Sequence, residues 1–357
     1  MGIIVKMIGI VAEYNPFHEG HKYHIENATD GCVVAVMSGD FVQRGEPAIL
    51  DKFSRSAQAC RQGVNLVVEL PVPWALASAE HFARGAVAVL ESLGVDAINF
   101  GSECGDIDLL YDLASKVNDS TELIKQYLKM NPQDSYPVAR RNVVGSEILD
   151  YPNNSLGIEY IKAASVKCDT VKRLTLHDGI GSAKEIRDEM KMLGIGVDFK
   201  TLETAIISRL RMFDKDYYNE LPDSSDGIGN RLYEAVRNNN TLEDIYSSAK
   251  TKSVTMSAVR RLAMCAALGI KDEYLDKYPP YIRVLAFDDI GREVLSKNSS
   301  IPVITQPKEI RRLNEFANKV FALGASAHDL YLLGMYGKSS NCCGEDYRNG
   351  PFIVKNA

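Results

Sequence analysis

Three of the six histidines in this 357-residue chain, His18, His21 and His24, fall within seven residues. The segment reads Asn15-Pro16-Phe17-His18-Glu19-Gly20-His21 and follows an apolar run, 7–12, that has the pattern of a buried strand. A helix is predicted over 18–27, and a spacing of three residues puts His18 and His21 on one face of its first turn. The free N–H groups of that turn and the helix dipole make it an anion site. Imidazole donors there suit phosphate oxygens, and Gly20 leaves room for a nucleotide against the backbone. Two capping or packing histidines would use the same positions. The other candidates are weaker. The seven cysteines are scattered with no CxxC spacing, so neither a disulfide framework nor a metal site is indicated. Cys104 has no obvious histidine partner, and His81 and His328 read as packed or surface side chains.

The segment around His18 resembles the HIGH signature of the nucleotidyltransferase superfamily, which includes class I aminoacyl-tRNA synthetases and adenylyltransferases. Such enzymes bind ATP on this turn and direct attack at its α-phosphate, while a second loop holds the β- and γ-phosphates. Gly181-Ser182-Ala183-Lys184-Glu185-Ile186-Arg187 resembles that loop in Ser182, Ile186 and Arg187, although Ser182 would equally serve as an ordinary N-cap. Further motifs narrow the match: the polar loop Met37-Ser38-Gly39-Asp40-Phe41-Val42-Gln43-Arg44-Gly45-Glu46-Pro47-Ala48, then Val67-Val68-Glu69-Leu70-Pro71, Phe100-Gly101-Ser102-Glu103, the run from Pro152 to Tyr160, His177-Asp178, and Pro279-Pro280-Tyr281-Ile282-Arg283-Val284-Leu285. In this order they are similar to the tRNA(Met) cytidine acetate ligase family of bacteria. Asp40 stands where that family more often has Asn, and the stretch from Arg173 to His177-Asp178 is compact.

The resemblance implies an enzyme that activates acetate with ATP as acetyl-adenylate and acetylates N4 of the wobble cytidine of elongator tRNA(Met). By motif match, ATP is held by Val11, Ala12, Glu13, Tyr14, Asn15, Pro16, Phe17, His18, Glu19, Gly20, His21 and His24, with Gly101, Asn153 or Asn154, Arg173, His177 and Ser182. His18, His21 and Arg187 are the catalytic candidates, and Mg²⁺ is expected to bridge the phosphates. The implied partners are elongator tRNA(Met) and acetate, with no DNA and no membrane. A carboxylate needs no general base to attack phosphorus, so positioning and charge neutralisation suffice for activation. A small-molecule adenylyltransferase would share the ATP motif, and a non-catalytic nucleotide- or RNA-binding relative would share the fold.

The elements that must position these residues are α/β in pattern. Apolar runs at 7–12, 32–37, 65–69 and 97–100, with a weaker one at 172–176, alternate with helical stretches at 18–27, 51–62, 78–92 and 183–193. Such alternation predicts a Rossmann-like parallel sheet with helices on both faces and ligands beyond the carboxyl ends of its strands. Past residue 200 the strand signal fades, and helices are expected at 204–211, 229–238, 257–268 and 307–322, with one edge strand at 352–355. The expected division is therefore a nucleotidyltransferase domain, 1–195, and a mainly α-helical domain, 196–357, that binds tRNA.

Apolar residues make up 45% and charged residues 25%, which excludes a disordered or fibrous chain. No apolar stretch reaches the ~18 residues of a membrane span, and a cytoplasmic protein is expected. Net charge is −6, against a strongly basic nucleic-acid coat, yet its distribution is uneven. Residues 1–250 hold 26 Lys and Arg against 36 Asp and Glu, and residues 251–357 hold 15 against 11. Arg260-Arg261 and Arg311-Arg312, with Lys250 and Lys252, could form a basic strip for tRNA phosphates if their helices face one way.

Overall fold

The centre of the fold is the parallel arrangement the sequence pattern requires. In the computed structural model, which describes residues 6–29, 31–174, 183–225, 227–335 and 343–355, β1 (Met7–Ala12) pairs in parallel with β2 (Cys32–Ser38) on one side and with β6 (Ala97–Ser102) on the other. A short hairpin of β3 (Phe41–Val42) and β4 (Glu46–Pro47) follows β2. β5 (Leu66–Leu70) lies beyond β2, and β7 (Lys167–Lys172) beyond β6. Every residue of β2 and β5 is buried, as strands covered on both faces must be. Chain order runs outward from β1 in both directions, so the switch point of the sheet falls between the carboxyl ends of β1 and β6. Topology alone places the ligand crevice there.

Two expectations change. The fifth parallel strand lies at Lys167–Lys172 rather than at 172–176, of which 175 and 176 fall outside the described residues. It is an edge strand in register with β6, with only Cys168 buried, so no apolar run marks it. Strands also return past residue 200. β8 (Ile282–Phe287) lies antiparallel on β5, and β9 (Val303–Ile304) and β10 (Phe352–Ile353) both pair in parallel with β8. The sheet is thus mixed, and these strands cut across the expected division at 195. β8 escapes a reading by apolar runs because Arg283 sits inside it.

The helices split into two cores. Trp74, Phe82 and Leu90 pack under the sheet with Tyr281, Val284 and Phe321. Leu202, Ile206, Leu232, Ile245 and Met264 pack among Phe199–Leu210, Ile228–Asn238, Leu242–Ala249 and Met256–Leu268. Helix Glu315–Leu332 serves both, through Val320 and Phe321 in the first core and Leu330 and Tyr331 in the second. The stretch after β6, unassigned from sequence, forms helices Ile107–Asp119, Thr121–Met130 and Tyr136–Val144.

A buried ionic network joins the two ends of the chain. Lys52 Nζ, 1% exposed, lies 2.9 Å from Glu69 Oε1 and 2.7 Å from Asp346 Oδ2. Arg283 approaches the same two carboxylates at 3.6 and 3.1 Å. Alongside, Asp40 accepts the Lys52 backbone N–H (2.8 Å) and faces His328 Nδ1 at 2.8 Å. Burial acts to lower the His328 pKa, but Asp40 outweighs it and His328 is raised to about 9. Burial acts to raise Asp40, and His328 with Lys52 holds it well below the usual carboxylate range. His328, read from sequence as a packed or surface residue, is a fully buried member of this network.

Removing one partner of a buried pair strands the other charge, at a cost of about 3–5 kcal/mol. Lys52→Met should therefore lower unfolding stability by that amount in denaturant titration, with an unchanged slope. The His328–Asp40 pair gives a second expectation. A raised histidine contributes stability that is complete below its unfolded pKa near 6.5 and is lost as pH rises through about 9. The stability gap between wild type and His328→Gln should thus be large near pH 6 and shrink towards pH 9.5, read as midpoint against pH.

Candidate active site

The crevice at the switch point is a cavity of about 650 Å³. Val11, Ala12, Glu13, Tyr14, Asn15, His18, Gly20, His21 and His24 line it from β1 and the helix Glu19–Ala28. Gly101, Asn153, Arg173 and Arg187 line it from the other side. Four expected residues stand apart. Pro16 and Phe17 are buried beneath the turn, Glu19 is exposed, and Asn154 is fully buried away from the cavity. His177 and Ser182 lie outside the described residues; from their loop, Ala183 and Arg187 reach the cavity.

The two histidines build the turn they occupy. His18 is the N-cap, and its Nδ1 accepts the Gly20 N–H at 3.1 Å. His21 Nδ1 accepts the His18 N–H at 3.3 Å, which closes a reciprocal capping box. The rings stack with centroids 3.8 Å apart. A Cβ on Gly20 would stand 2.9 Å from the His18 ring, so this glycine makes space first for the imidazole. The cap also fixes the tautomers. An Nδ1 that accepts a hydrogen bond leaves the proton of a neutral imidazole on Nε2. Burial lowers the pKa of His18, helped by Arg173 and Arg187; burial lowers His21 further, helped by His18, His24 and Arg173. Both rings are therefore neutral Nε2–H donors. His24 joins them one turn on, with Nε2 2.8 Å from Asn99 Oδ1.

Arg187 Nη1 donates to Asn15 O at 2.7 Å, which ties the helix Ala183–Met192 to the histidine turn. Arg173 follows β7 and is exposed beside the cavity. The two asparagines divide their work. Asn154 Oδ1 accepts the N–H groups of Glu103 and Cys104 at 2.8 and 3.1 Å, and Asn153 stays on the cavity wall, donating to Glu103 Oε1 at 2.6 Å.

Several residues of the site are not among the sequence candidates. Arg55 is fully buried and donates to the carbonyls of Glu13, Ser38, Gly39 and Leu50. Gln43, Arg44 and Glu46 of the β3–β4 hairpin form another wall, and Phe82, Leu156 and Tyr160 an apolar one. The hairpin is seated on helix Met256–Leu268: a Cβ on Gly45, at φ 75°, would come within 2.5 Å of Arg261 N, and Glu46 pairs with Arg260. This alters the expected basic strip. Arg260 is committed to Glu46 and lies over the Tyr246 ring, and Arg261 is half-buried; Lys250, Lys252, Arg311 and Arg312 are exposed.

A mostly parallel sheet with a histidine-capped helix at its switch point defines the class, a HIGH-type nucleotidyltransferase. The family model for HIGH Nucleotidyl Transferase matches residues 5–193 and 181–345. The tRNA(Met) cytidine acetate ligase of Caldicellulosiruptor saccharolyticus is 34% identical, over 92% of this chain and 94% of its own length. That of Acetivibrio thermocellus is 32% identical, over 98% and 100%. The crystal structure of Thermotoga maritima TmcAL bound with alpha-thio ATP superposes with a TM-score of 0.88 at 29% identity, covering 98% of this chain and all of that one. The chain belongs to the tRNA(Met) cytidine acetate ligase family.

Arg187 offers a sharp test of the cavity as a nucleotide site. A hydrogen bond to a charged group is worth about 1.5–3 kcal/mol, whereas a helix-surface arginine changes stability by no more than ~0.5 kcal/mol. Arg187→Ala should weaken ATP binding by about tenfold to a hundredfold in calorimetric titration and leave the melting temperature within a degree or two. Unchanged ATP affinity would make Arg187 only a brace on Asn15.

Proposed function

We propose that this protein is an ATP-dependent ligase that activates acetate as acetyl-adenylate and then acetylates N4 of the wobble cytidine of elongator tRNA(Met). The observation that carries this reading is the pair of neutral Nε2–H donors of His18 and His21, set with Arg173 and Arg187 around one cavity at the sheet's switch point. Negative charge on ATP meets donors and guanidinium groups there. Acetate oxygen attacks the α-phosphorus, pyrophosphate leaves, and the donors hold the charge that builds on the phosphate oxygens. Neutral imidazoles give directed donors without the desolvation cost of extra cations. Asn153, Gly101 and the walls from Val11 to Asn15 position the nucleotide.

Mg²⁺ would accompany the ATP phosphates and add charge neutralisation. Among the described residues no group of three or more His, Cys, Asp or Glu side chains could hold a metal ion, so the phosphates themselves are its natural ligands in this reading. Residues 1–195 supply the adenylate chemistry. The exposed Lys250, Lys252, Arg311 and Arg312 of the later part are its candidate tRNA contacts. No helix among the described residues is long and apolar enough to cross a membrane, and a cytoplasmic setting suits a tRNA substrate.

Loss of one preorganised donor typically lowers turnover ~10²–10³-fold. His21→Ala should do so for acetate-dependent AMP and pyrophosphate formation. The lost cap should cost only about 1 kcal/mol in folding. Near-normal turnover in a folded His21→Ala protein would remove the histidines from phosphate chemistry. Pyrophosphate release with acetate alone, then with acetate and tRNA, separates the ligase from a small-molecule adenylyltransferase.

A further inference from the structure

The cavity contains a carboxylate that the acetate-activating step does not need. Glu13 stands at the end of β1, and its Oε1 accepts the Gln43 N–H at 2.9 Å, which fixes the side chain against the β3–β4 hairpin. Its second oxygen has no hydrogen-bond partner among the described residues, although Glu13 lines the cavity. The other carboxylate lining the cavity among the described residues, Glu46, is paired with Arg260. His18 and His21 cannot replace Glu13 as proton acceptors, because their Nδ1 atoms are occupied by backbone N–H groups.

We infer that Glu13 is the general base of the acyl-transfer step, taking a proton from the exocyclic amine of the acceptor cytidine. This rests on the acetyl-adenylate reading above. Among the reacting groups, the ATP phosphates and acetate present negative charge, which a carboxylate repels; only the cytidine amine must lose a proton in the reaction. The step then balances. The N4 nitrogen attacks the acetyl carbon, the bond from that carbon to the adenylate phosphate oxygen breaks, and AMP leaves with the electron pair. The amine began with two hydrogens and the product amide keeps one, so one proton goes to Glu13.

The surroundings suit the role. Burial raises the Glu13 pKa above the ordinary carboxylate value, while the Gln43 N–H and the charges of Arg55, Arg44 and Arg187 limit the rise. Tyr160, which lines the same cavity, has its pKa raised by burial and by Glu13 and stays a neutral phenol. A carboxylate raised in this way is a stronger proton acceptor than a solvated one.

Full-length enzyme, synthetic acetyl-adenylate and tRNA(Met) transcript test this in single turnover, beside acetate-dependent AMP formation from ATP. General-base catalysis contributes typically ~10²–10⁴-fold. Glu13→Gln keeps the Gln43 contact, so transfer from supplied acetyl-adenylate should slow by about 10²-fold or more beyond whatever change the variant makes to adenylate formation. Wild type should lose transfer rate as pH falls through the Glu13 pKa; Glu13→Gln should lose that acid limb, and Glu13→Asp should keep it at a reduced rate. Transfer by Glu13→Gln within about threefold of wild type, a retained acid limb, or equal losses in both steps would each overturn the assignment. If wild type forms no acetyl-adenylate from acetate and ATP, the functional reading itself fails, and the base assignment with it.

Discussion

A single buried guanidinium holds the ends of two central strands in the positions the site requires. Arg55 gathers the carbonyls of Glu13, which follows β1, and of Ser38 and Gly39, at the end of β2, together with Leu50. The carbonyls of Glu13, Ser38 and Gly39 lie where parallel strands stop, and that of Leu50 just before the helix Lys52–Arg61. A buried orphan carbonyl costs as much as a lost hydrogen bond, and a buried cation without acceptors costs more. Arg55 answers both needs with one side chain, since its donors radiate in a fixed plane. The backbone at Glu13, from which the chain turns into the histidine segment, is thereby fixed from inside the protein.

That anchoring explains how a polar turn can be preorganised without a bound ligand. The His18–His21 cap satisfies two orphan N–H groups of the helix, the usual task of a Ser or Asp cap. An imidazole does it with Nδ1, and its Nε2 remains a donor. Protonating either Nδ1 would set an N–H against a backbone N–H and break the cap. The geometry therefore favours the neutral ring independently of the burial and nearby arginines that push the same way.

Much of this was legible in the sequence because it is local. The histidine spacing, the apolar run before it and the glycine between are one strand, one turn and one helix start, and five parallel strands follow from their alternation with helices. Local pattern failed where pairing is long-range. Lys52 and Arg283 look like ordinary surface charges until Glu69 of β5 and Asp346 converge on them, and so does Arg55 until the ends of β1 and β2 do. β8 is a buried strand with an arginine in it, tolerable only because Glu69 and Asp346 are waiting across the sheet. β7 is half-exposed at an edge, so its residues need not be apolar. Choosing between Asn153 and Asn154 needed the position of Glu103 on a different element.

The same long-range contacts bind the later part of the chain to the site. Helix Glu315–Leu332 belongs to both cores and carries His328, which pairs with Asp40 just before the β3–β4 hairpin. Tyr331 on that helix donates to Ala48 O just after it. The hairpin between these two anchors is also pressed on helix Met256–Leu268 at Gly45. Gln43 and Arg44, at its tip, face the cavity. One wall of the nucleotide cavity is therefore positioned by helices far away in sequence, and Gln43 in turn orients Glu13. A buried, paired anchor of this kind resists small displacements, because moving it would unpair charges that have no water to replace the partner. The later part of the chain thus reaches the cavity through this hairpin, whose contacts fix where Gln43 and Glu13 stand.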